Sequence, residues 1–356
     1  MRTRGSLTSA LTAVILLAAS SLLLAQRTQA LRGEQKLQME VLRTLVDEVA
    51  AQKHSGPADV ALTWQNHFLK AAGGLVYVPY TVGIDGKFDE LPVAMYVRVL
   101  IEDAQQKYYD ASKSSTIRTW LNVASSPTQI DSKDIRSGNV EGTSPTAEDI
   151  YFFEPPKDGR LRRALWLPPG NYEVFVAMRE RPVGKGLPKI TLLKQPLTVP
   201  DLSKDLAISS LILAEAVEPA SGALNQKQQL TQPYSIGGTR ITPAATTRFK
   251  RGAELLFVFF IYNPGAAANG KPDVQADYTF LRQAGDVDRL FNALPPQQFN
   301  AQNLPPEFDL AAGHLLMGGQ SVPLDTFPEG QYRLQVKVTD NTSGASTMSD
   351  VVFSVQ

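Results

Sequence analysis

Residues 167–178 read Leu-Pro-Pro-Gly-Asn-Tyr-Glu-Val-Phe-Val-Ala-Met, and residues 327–338 repeat the pattern as Phe-Pro-Glu-Gly-Gln-Tyr-Arg-Leu-Gln-Val-Lys-Val. Both copies have Pro-x-Gly-x-Tyr followed by apolar side chains at alternate positions. The first part predicts a turn, and the alternation predicts a strand with one buried face. Another alternating stretch follows each copy, at residues 190–199 and 350–355. Many β-sandwich domains end with such a turn, tyrosine strand and closing strand, so the repeat predicts two tandem sandwiches.

The rest of the chain fits an all-β fold of two immunoglobulin- or fibronectin-like sandwiches. Residues 254–262 are almost wholly apolar, which predicts a strand that is buried on both faces. Residues 110–148 are polar and predict long loops with one or two short strands, and residues 294–307 predict a connection rich in Pro and Gln. Further strands are predicted at residues 75–84, 91–101, 150–153, 161–167, 206–216, 241–247 and 273–282.

The N-terminus has the layout of a secretory signal. Arg2 and Arg4 precede an apolar segment over residues 7–25, with small-residue cleavage sites at Ala25 and Ala30. The alternative is an uncleaved anchor, because about 19 apolar residues can span a bilayer. The chain has no cysteine, which excludes a lipid anchor at this segment. We therefore expect a secreted or periplasmic protein.

Two helices are predicted between the signal segment and the first sandwich. Residues 35–51 place apolar side chains on one helical face, and residues 59–72 do the same before a Gly-Gly cap. The first helix is either a stalk or dimerising helix, or it packs on its own domain. The predicted domain limits are 1–30 for the signal segment, 31–74 for the helical segment, 75–203 for sandwich 1 and 204–356 for sandwich 2. Residues 201–205 are the predicted hinge.

Composition and motifs argue against an enzyme. The 35 basic and 35 acidic residues cancel, so the charge gives no reason to expect a nucleic-acid partner. The three histidines are far apart and form no known metal motif, and there is no Gly-x-Ser-x-Gly elbow. We predict no catalytic, cofactor-binding or metal-binding residues. The carboxylate groups considered lie beside turns, and they are Asp85 with Asp89 and Glu90, Glu102 with Asp103, and Asp286 with Asp288. The Asp85–Glu90 group could hold calcium, but its ligands are too few and lack a recognised spacing.

Three aromatic residues in the polar region of the first sandwich are the candidate ligand-binding residues. Tyr108, Tyr109 and Trp120 could stack on a sugar or anchor a protein partner if their rings are exposed. The alternative is that Trp120 packs beneath its own loop. Tyr172 and Tyr332 differ from these, because their place in the repeat predicts tyrosine corners that tie a turn to the sheet.

Three segments carry a resemblance to a known group of proteins. They are Leu-Pro-Pro-Gly-Asn-Tyr at residues 167–172, Leu-Thr-Val-Pro-Asp-Leu at 197–202 and Ser-Ser-Leu-Ile-Leu-Ala at 209–214, with Phe249–Gly252 and Tyr262–Pro264 extending them. Together they resemble the tandem sandwich region of secreted bacterial proteins that carry a von Willebrand factor A-like or GWxTD-type domain. The chain has no room for a von Willebrand A domain and lacks its Asp-x-Ser-x-Ser motif. The resemblance therefore covers the accessory region alone, over about residues 60–356, and implies no catalytic residues.

These observations predict a non-catalytic exported protein that binds a protein or another cell-envelope component through loops at the ends of its sandwiches. The first alternative is a carbohydrate-binding module that uses the aromatics of the first sandwich. A hydrolase that uses paired carboxylates comes third. Any contact with a membrane would be through an uncleaved signal anchor.

Overall fold

The computed structural model describes residues 60–86, 92–101, 146–151, 158–180, 190–220, 224, 232–267 and 269–356. Over these ranges the regular structure is β-strand, apart from one 3₁₀ turn at Ala72–Gly74. The strands of the first half are β1 (Val60–Asn66), β2 (Leu69–Lys70), β3 (Val76–Gly86), β4 (Pro92–Ile101), β5 (Thr146–Tyr151), β6 (Arg160–Leu167), β7 (Gly170–Glu180) and β8 (Ile190–Val199). Those of the second half are β9 (Ala207–Ile208), β10 (Ile212–Pro219), β11 (Ser235–Ile236), β12 (Thr239–Pro243), β13 (Arg248–Phe249), β14 (Glu254–Tyr262), β15 (Val274–Ala284), β16 (Val287–Phe299), β17 (Leu316–Pro323), β18 (Gly330–Asp340) and β19 (Ser346–Val355).

The first half forms a sandwich of two antiparallel sheets. In one sheet, β1 and β2 pair with the same side of β3, and β6 pairs with its other side. The other sheet has the order β5-β4-β7-β8. We call the β3 sheet junction sheet 1, because its outward face contacts the second half of the chain. The β4 sheet is outer sheet 1.

The second half repeats this plan. Junction sheet 2 has the order β11-β12-β10-β14-β17, with β9 pairing with the end of β14. Outer sheet 2 has the order β13-β19-β18-β15-β16, in which β13 runs parallel to β19. In immunoglobulin notation, strand A is β1 with β2 in the first sandwich and β9 with β10 in the second, strand B is β3 and β14, and strand E is β6 and β17. Strands C, F and G are β4, β7 and β8 in the first sandwich and β15, β18 and β19 in the second. The chain is therefore two immunoglobulin-like β-sandwiches, and both tyrosine strands of the repeat are strand F.

Alternation places the apolar side chains of both F strands in the two cores. The inward residues are Tyr172, Val174, Val176 and Met178 on β7 and Tyr332, Leu334, Val336 and Val338 on β18, and each is at most 1% exposed. Strand β14 is buried on both faces, as the sequence predicts. Its residues Phe257 and Phe259 lie in the second core, whereas Val258 and Phe260 join the first. Junction sheet 2 is thus covered by outer sheet 2 on one face and by the first sandwich on the other.

Three local predictions are wrong. The helix predicted over residues 59–72 is instead β1 and β2, because Val60 and Leu62 alternate with exposed neighbours against β3. The connection predicted from residue 294 begins later, since β16 continues to Phe299 and carries Pro295 and Pro296 in a bulge on a sheet edge. The strand predicted over 206–216 is two strands, interrupted at residues 209–211.

Other predictions lie outside the described residues. They include the signal segment, the helix over residues 35–51 and the loops over 110–145. The alternating strands at 190–199 and 350–355 are confirmed as β8 and the end of β19, each paired with the tyrosine strand before it.

Candidate functional site

The candidate ligand-binding residues Tyr108, Tyr109 and Trp120 lie outside the described residues, so their predicted role stays a prediction. The same holds for the calcium group, of which the structure describes Asp85 alone. Within the described ranges, no three His, Asp or Glu side chains are grouped in a way that could hold a metal ion. Among these residues, no helix has the length and hydropathy that a bilayer crossing requires.

The two repeat tyrosines form the predicted corners. The hydroxyl of Tyr172 donates a hydrogen bond to the carbonyl of Pro168 at 2.8 Å, and the hydroxyl of Tyr332 donates to the carbonyl of Pro328 at 2.5 Å. Each acceptor lies four residues before its tyrosine, so the bond closes the turn that leads into strand F. The glycine of each copy begins that strand, and Gly330 has φ of +149°, which favours glycine. The tyrosines are therefore structural residues.

The junction between the sandwiches contains a buried polar cluster around His67. This side chain follows β1, is 4% exposed and has its Nδ1 2.9 Å from the hydroxyl of Tyr234. Tyr234 comes from the segment before β11 in the second sandwich and is 3% exposed. Its hydroxyl also lies 3.4 Å from the carbonyl of Pro79 on β3. The hydroxyl of Tyr77 donates to the carbonyl of Pro233 at 2.7 Å, next to this cluster.

The junction is also where strand A of each sandwich is interrupted. In the first sandwich, the gap between β1 and β2 lies opposite Pro79, which has no N–H to complete the ladder. In the second, Ser209 and Ser210 separate β9 from β10. The two gaps bond to each other: the N–H of Phe68 donates to Ser210 Oγ at 2.9 Å, and the N–H of Ser210 donates to the carbonyl of Phe68 at 3.2 Å.

The electrostatics of this cluster follow from its burial. Removal from water lowers the pKa of His67 from 6.5 to about 4, so the imidazole is neutral near pH 7. Burial also raises the pKa of Tyr234, against smaller opposing effects of a Thr81 hydrogen bond and the charge of Arg162. Since Tyr234 keeps its proton, its hydroxyl can donate to the unprotonated Nδ1 of His67. This cluster is therefore held by neutral hydrogen bonds between apolar surfaces.

Sequence reasoning missed the partners of His67. It placed His67 in the helix predicted over residues 59–72, whereas the side chain is buried beyond the end of β1. No periodicity marks Tyr234, because it lies in an irregular segment between β10 and β11. The one available signal was the Pro233-Tyr234 pair, in which a large amphipathic ring follows a residue that favours turns.

A second feature is the outward face of outer sheet 2, where three apolar side chains and one arginine form a row across four strands. Leu290 on β16 pairs with Leu281 on β15. Leu281 pairs on its other side with Arg333 on β18, and Arg333 pairs with Val352 on β19. Leu290 is 71% exposed and Val352 is 43% exposed. Met348, also exposed, lies four residues before Val352 on the same face. We call this set the exposed row.

Ion pairs fix the one charged member of the exposed row. Arg333 Nε lies 2.9 Å from Asp288 Oδ2, and its guanidinium also pairs with Asp350. Hydrogen bonds to Asp288 and Asp350 raise the pKa of Arg333. Asp288, one of the two carboxylates considered from sequence as a catalytic pair with Asp286, is thus engaged by Arg333.

An open groove of about 440 Å³ lies where β10, β13, β14 and β17 come together. Its charged lining residues are Glu215, Arg248, Lys250 and Glu254. Glu215 accepts a hydrogen bond from the N–H of Ala245 at 2.9 Å, and Glu254 accepts one from the hydroxyl of Ser321. Both carboxylates thus serve the local structure, and we assign no ligand to the groove.

No protein-family model matches the chain, and no curated protein matches it either. The solved structures that are similar to it include three of alpha-2-macroglobulin from Escherichia coli, each matched over 85% of this chain. The trypsin-activated form is 15% identical with a TM-score of 0.22, the elastase-activated form 10% with 0.23, and the native form 12% with 0.20. The matched region spans 17%, 22% and 16% of those chains. At such TM-scores the similarity carries no argument about function.

Proposed function

We propose that this protein is an exported, non-catalytic interaction protein whose two joined sandwiches hold a protein-binding surface in a fixed orientation. The junction is the observation that carries this proposal. Tandem domains move relative to each other by default unless their interface is large and hydrophobic. Here one apolar cluster runs from the first core through Val258 and Phe260 of the second sandwich, and the His67–Tyr234 cluster is buried within it. A rigid scaffold with displayed loops and faces is typical of recognition proteins.

The exposed row is the surface that supports a protein partner best. Exposed apolar side chains are normal when they are scattered, but these lie in register on neighbouring strands of a rigid sheet. The outward residues of β15 and β18 include no aromatic ring, so this face offers no platform on which a sugar could stack. Its charges nearly cancel, because Arg333 pairs with two carboxylates and Lys337 lies opposite Asp277. The partner we propose is therefore a protein with an apolar, nearly neutral contact surface, and binding should depend only weakly on salt.

Capture from cell-envelope extract tests this proposal when matched variants are compared. We expect the wild-type chain to retain a protein that the double variant Leu290→Asp/Val352→Asp loses, since a charge placed in an apolar contact is costly to desolvate. Val287→Asp is the control, because Val287 is 59% exposed but lies outside the exposed row. Equal capture by all three would exclude this face. Specific binding on a glycan array that Trp120→Ala abolishes would instead support the carbohydrate-binding alternative.

A further inference from the structure

We propose that β17 is a self-association edge, through which two copies of this chain pair antiparallel about a two-fold axis and join their junction sheets 2 into one sheet. This inference concerns assembly and does not depend on the proposed partner. Strand β17 ends the order β11-β12-β10-β14-β17 and pairs on one side only. Among the described residues, its backbone groups have no hydrogen-bond partner other than β14.

An unpaired strand edge is a template for another strand, and proteins normally protect it with charges, prolines or bulges. The long edge strands β16, β8, β6 and β1 follow this rule. Strand β16 carries Pro295 and Pro296 and two register shifts against β15. Strand β8 carries Lys194 and Pro196, and β6 is rich in arginine. Strand β1 has no charge, but its edge packs beside β8.

Strand β17 has only one of these devices, Pro323 at its last position. Its residues 316–322 are Leu-Met-Gly-Gly-Gln-Ser-Val, without a charge or a proline. Its register with β14 is unbroken from Leu316, opposite Ile261, to Pro323, opposite Glu254. A straight, neutral edge of this length presents the N–H and C=O groups of about four alternate residues to a neighbour.

The glycines in the middle of β17 explain why the edge is bare. A Cβ built on Gly318 would lie 2.4 Å from a ring carbon of Phe259, and one built on Gly319 would lie 2.5 Å from the carbonyl oxygen of Phe257. Neither position can therefore carry a side chain without a shift of its neighbours. The same pair leaves the strand open to close approach by a second backbone.

A second copy is the occupant that fits this edge. A two-fold pairing centred on Gly319 places Met317 of one copy opposite Ser321 of the other, with no charged side chain of β17 facing its equivalent. Like charges directly opposite are destabilising, so the neutrality of β17 permits self-pairing. The pairing also uses one edge per copy and therefore closes as a dimer. Met317, which is 38% exposed, gains an apolar contact there.

Sedimentation of the full chain at rising concentration tests the inference. We expect a reversible dimer to form at a protein concentration of about 100 µM or lower. The double variant Met317→Lys/Ser321→Lys should dissociate at least tenfold more readily, because lysine on an edge strand opposes pairing. Met348→Lys/Val352→Lys on β19 is the matched control, which should dimerise like the wild type. Thermal melting monitored by circular dichroism confirms that each variant is folded.

Hydrogen exchange gives an independent measurement. The amides of residues 316–322 should exchange more slowly as the wild-type concentration rises through the dimer transition, whereas those of β19 should not change. A wild type that stays monomeric at about 100 µM, or a dimer that survives in the β17 double variant, would overturn the inference. So would a dimer that the β19 control abolishes, since that result would assign the contact to the exposed row.

Discussion

Acidification should lower the free energy of unfolding of this protein, because His67 is buried in the junction between the sandwiches. The pKa of His67 falls from 6.5 to about 4 because the folded protein buries the side chain. When a histidine has a lowered pKa in the folded state, the unfolded chain binds the proton first. Stability is then complete above pH 6.5, falls as the pH drops from 6.5 towards 4, and changes no further through this group below pH 4. A change from 6.5 to about 4 corresponds to about 3 kcal/mol.

The hydrogen bonds of the junction explain the direction of this effect. Neutral His67 can accept from Tyr234 at Nδ1, but the protonated ring can only donate there. Tyr234 would then have to turn its proton towards the Thr81 hydroxyl, or towards the carbonyl of Pro79, which is 3.4 Å away and a poor acceptor at that distance. Arg162, whose charge already acts on Tyr234, gives no compensation. No acid side chain of the described residues contributes to the pKa of His67.

Urea unfolding at pH 7.5, 5.5 and 4.5, for the wild type and for His67→Asn, measures the effect. Asparagine can accept the Tyr234 hydrogen bond but does not titrate, so the carboxylates that titrate in both proteins cancel in the comparison. The wild type should lose about 2 to 3 kcal/mol more than the variant between pH 7.5 and 4.5. Parallel pH profiles would refute the argument that the buried, neutral imidazole holds the junction together.

Three further predictions concern stability. Tyr172→Phe and Tyr332→Phe should each cost about 1 kcal/mol in chemical denaturation through a lost hydrogen bond, and Tyr→Ala about 3 to 5 kcal/mol through the added cavity; unchanged melting of both alanine variants would contradict the corner assignment. Gly318→Ala should cost about 1 to 3 kcal/mol because its Cβ meets the Phe259 ring, whereas Ser321→Ala on the same strand should cost at most about 1 kcal/mol, through its exposed hydrogen bond to Glu254. Asp340→Asn should cost about 1 to 2 kcal/mol, because burial alone would raise the pKa of Asp340 but hydrogen bonds from Ser343, Gly265 and Thr342 lower it. Since this pKa is lowered, the wild type should lose that advantage as the pH falls below about 4, and a constant difference down to pH 2 would argue against it.

The repeat predicted much of the fold because it reports local structure. Alternation in residues 172–178 and 332–338 sets which side chains enter the cores, and Pro-x-Gly-x-Tyr sets the corner, so both features follow from a few adjacent residues. The two-sided burial of residues 254–262 was also readable from their composition. The cause of this burial could not be read from the composition, because the face that carries Phe260 is covered by the first sandwich, whose residues are far away in the sequence.

The junction and the strand order could not be predicted, because they depend on pairings between distant segments. Residues 59–72 show the difficulty: Val60, Trp64 and Phe68 fit a helical period, while Val60, Leu62 and Trp64 fit a strand equally well. Pairing with β3 decides between the two, and the pairing partner is not marked in the local sequence. Likewise, nothing near Tyr234 indicates that its hydroxyl meets His67, which lies 167 residues earlier.

The two strand A gaps suggest how a duplicated module became a joined pair. In an isolated sandwich, an interrupted ladder leaves backbone groups that water must satisfy, which weakens the strand. Here the two gaps face each other, and Phe68 and Ser210 satisfy one another across the junction. Ser209 repairs its own gap, since its hydroxyl accepts from the N–H of Phe260 at 2.9 Å. Ser210→Ala should therefore remove one of the hydrogen bonds between the sandwiches, from the N–H of Phe68 to Ser210 Oγ, and leave the second ladder intact. If the amides of β14 exchanged faster in that variant by as much as those of β2, the Ser210 bond would stabilise the strands individually and not the contact between the sandwiches.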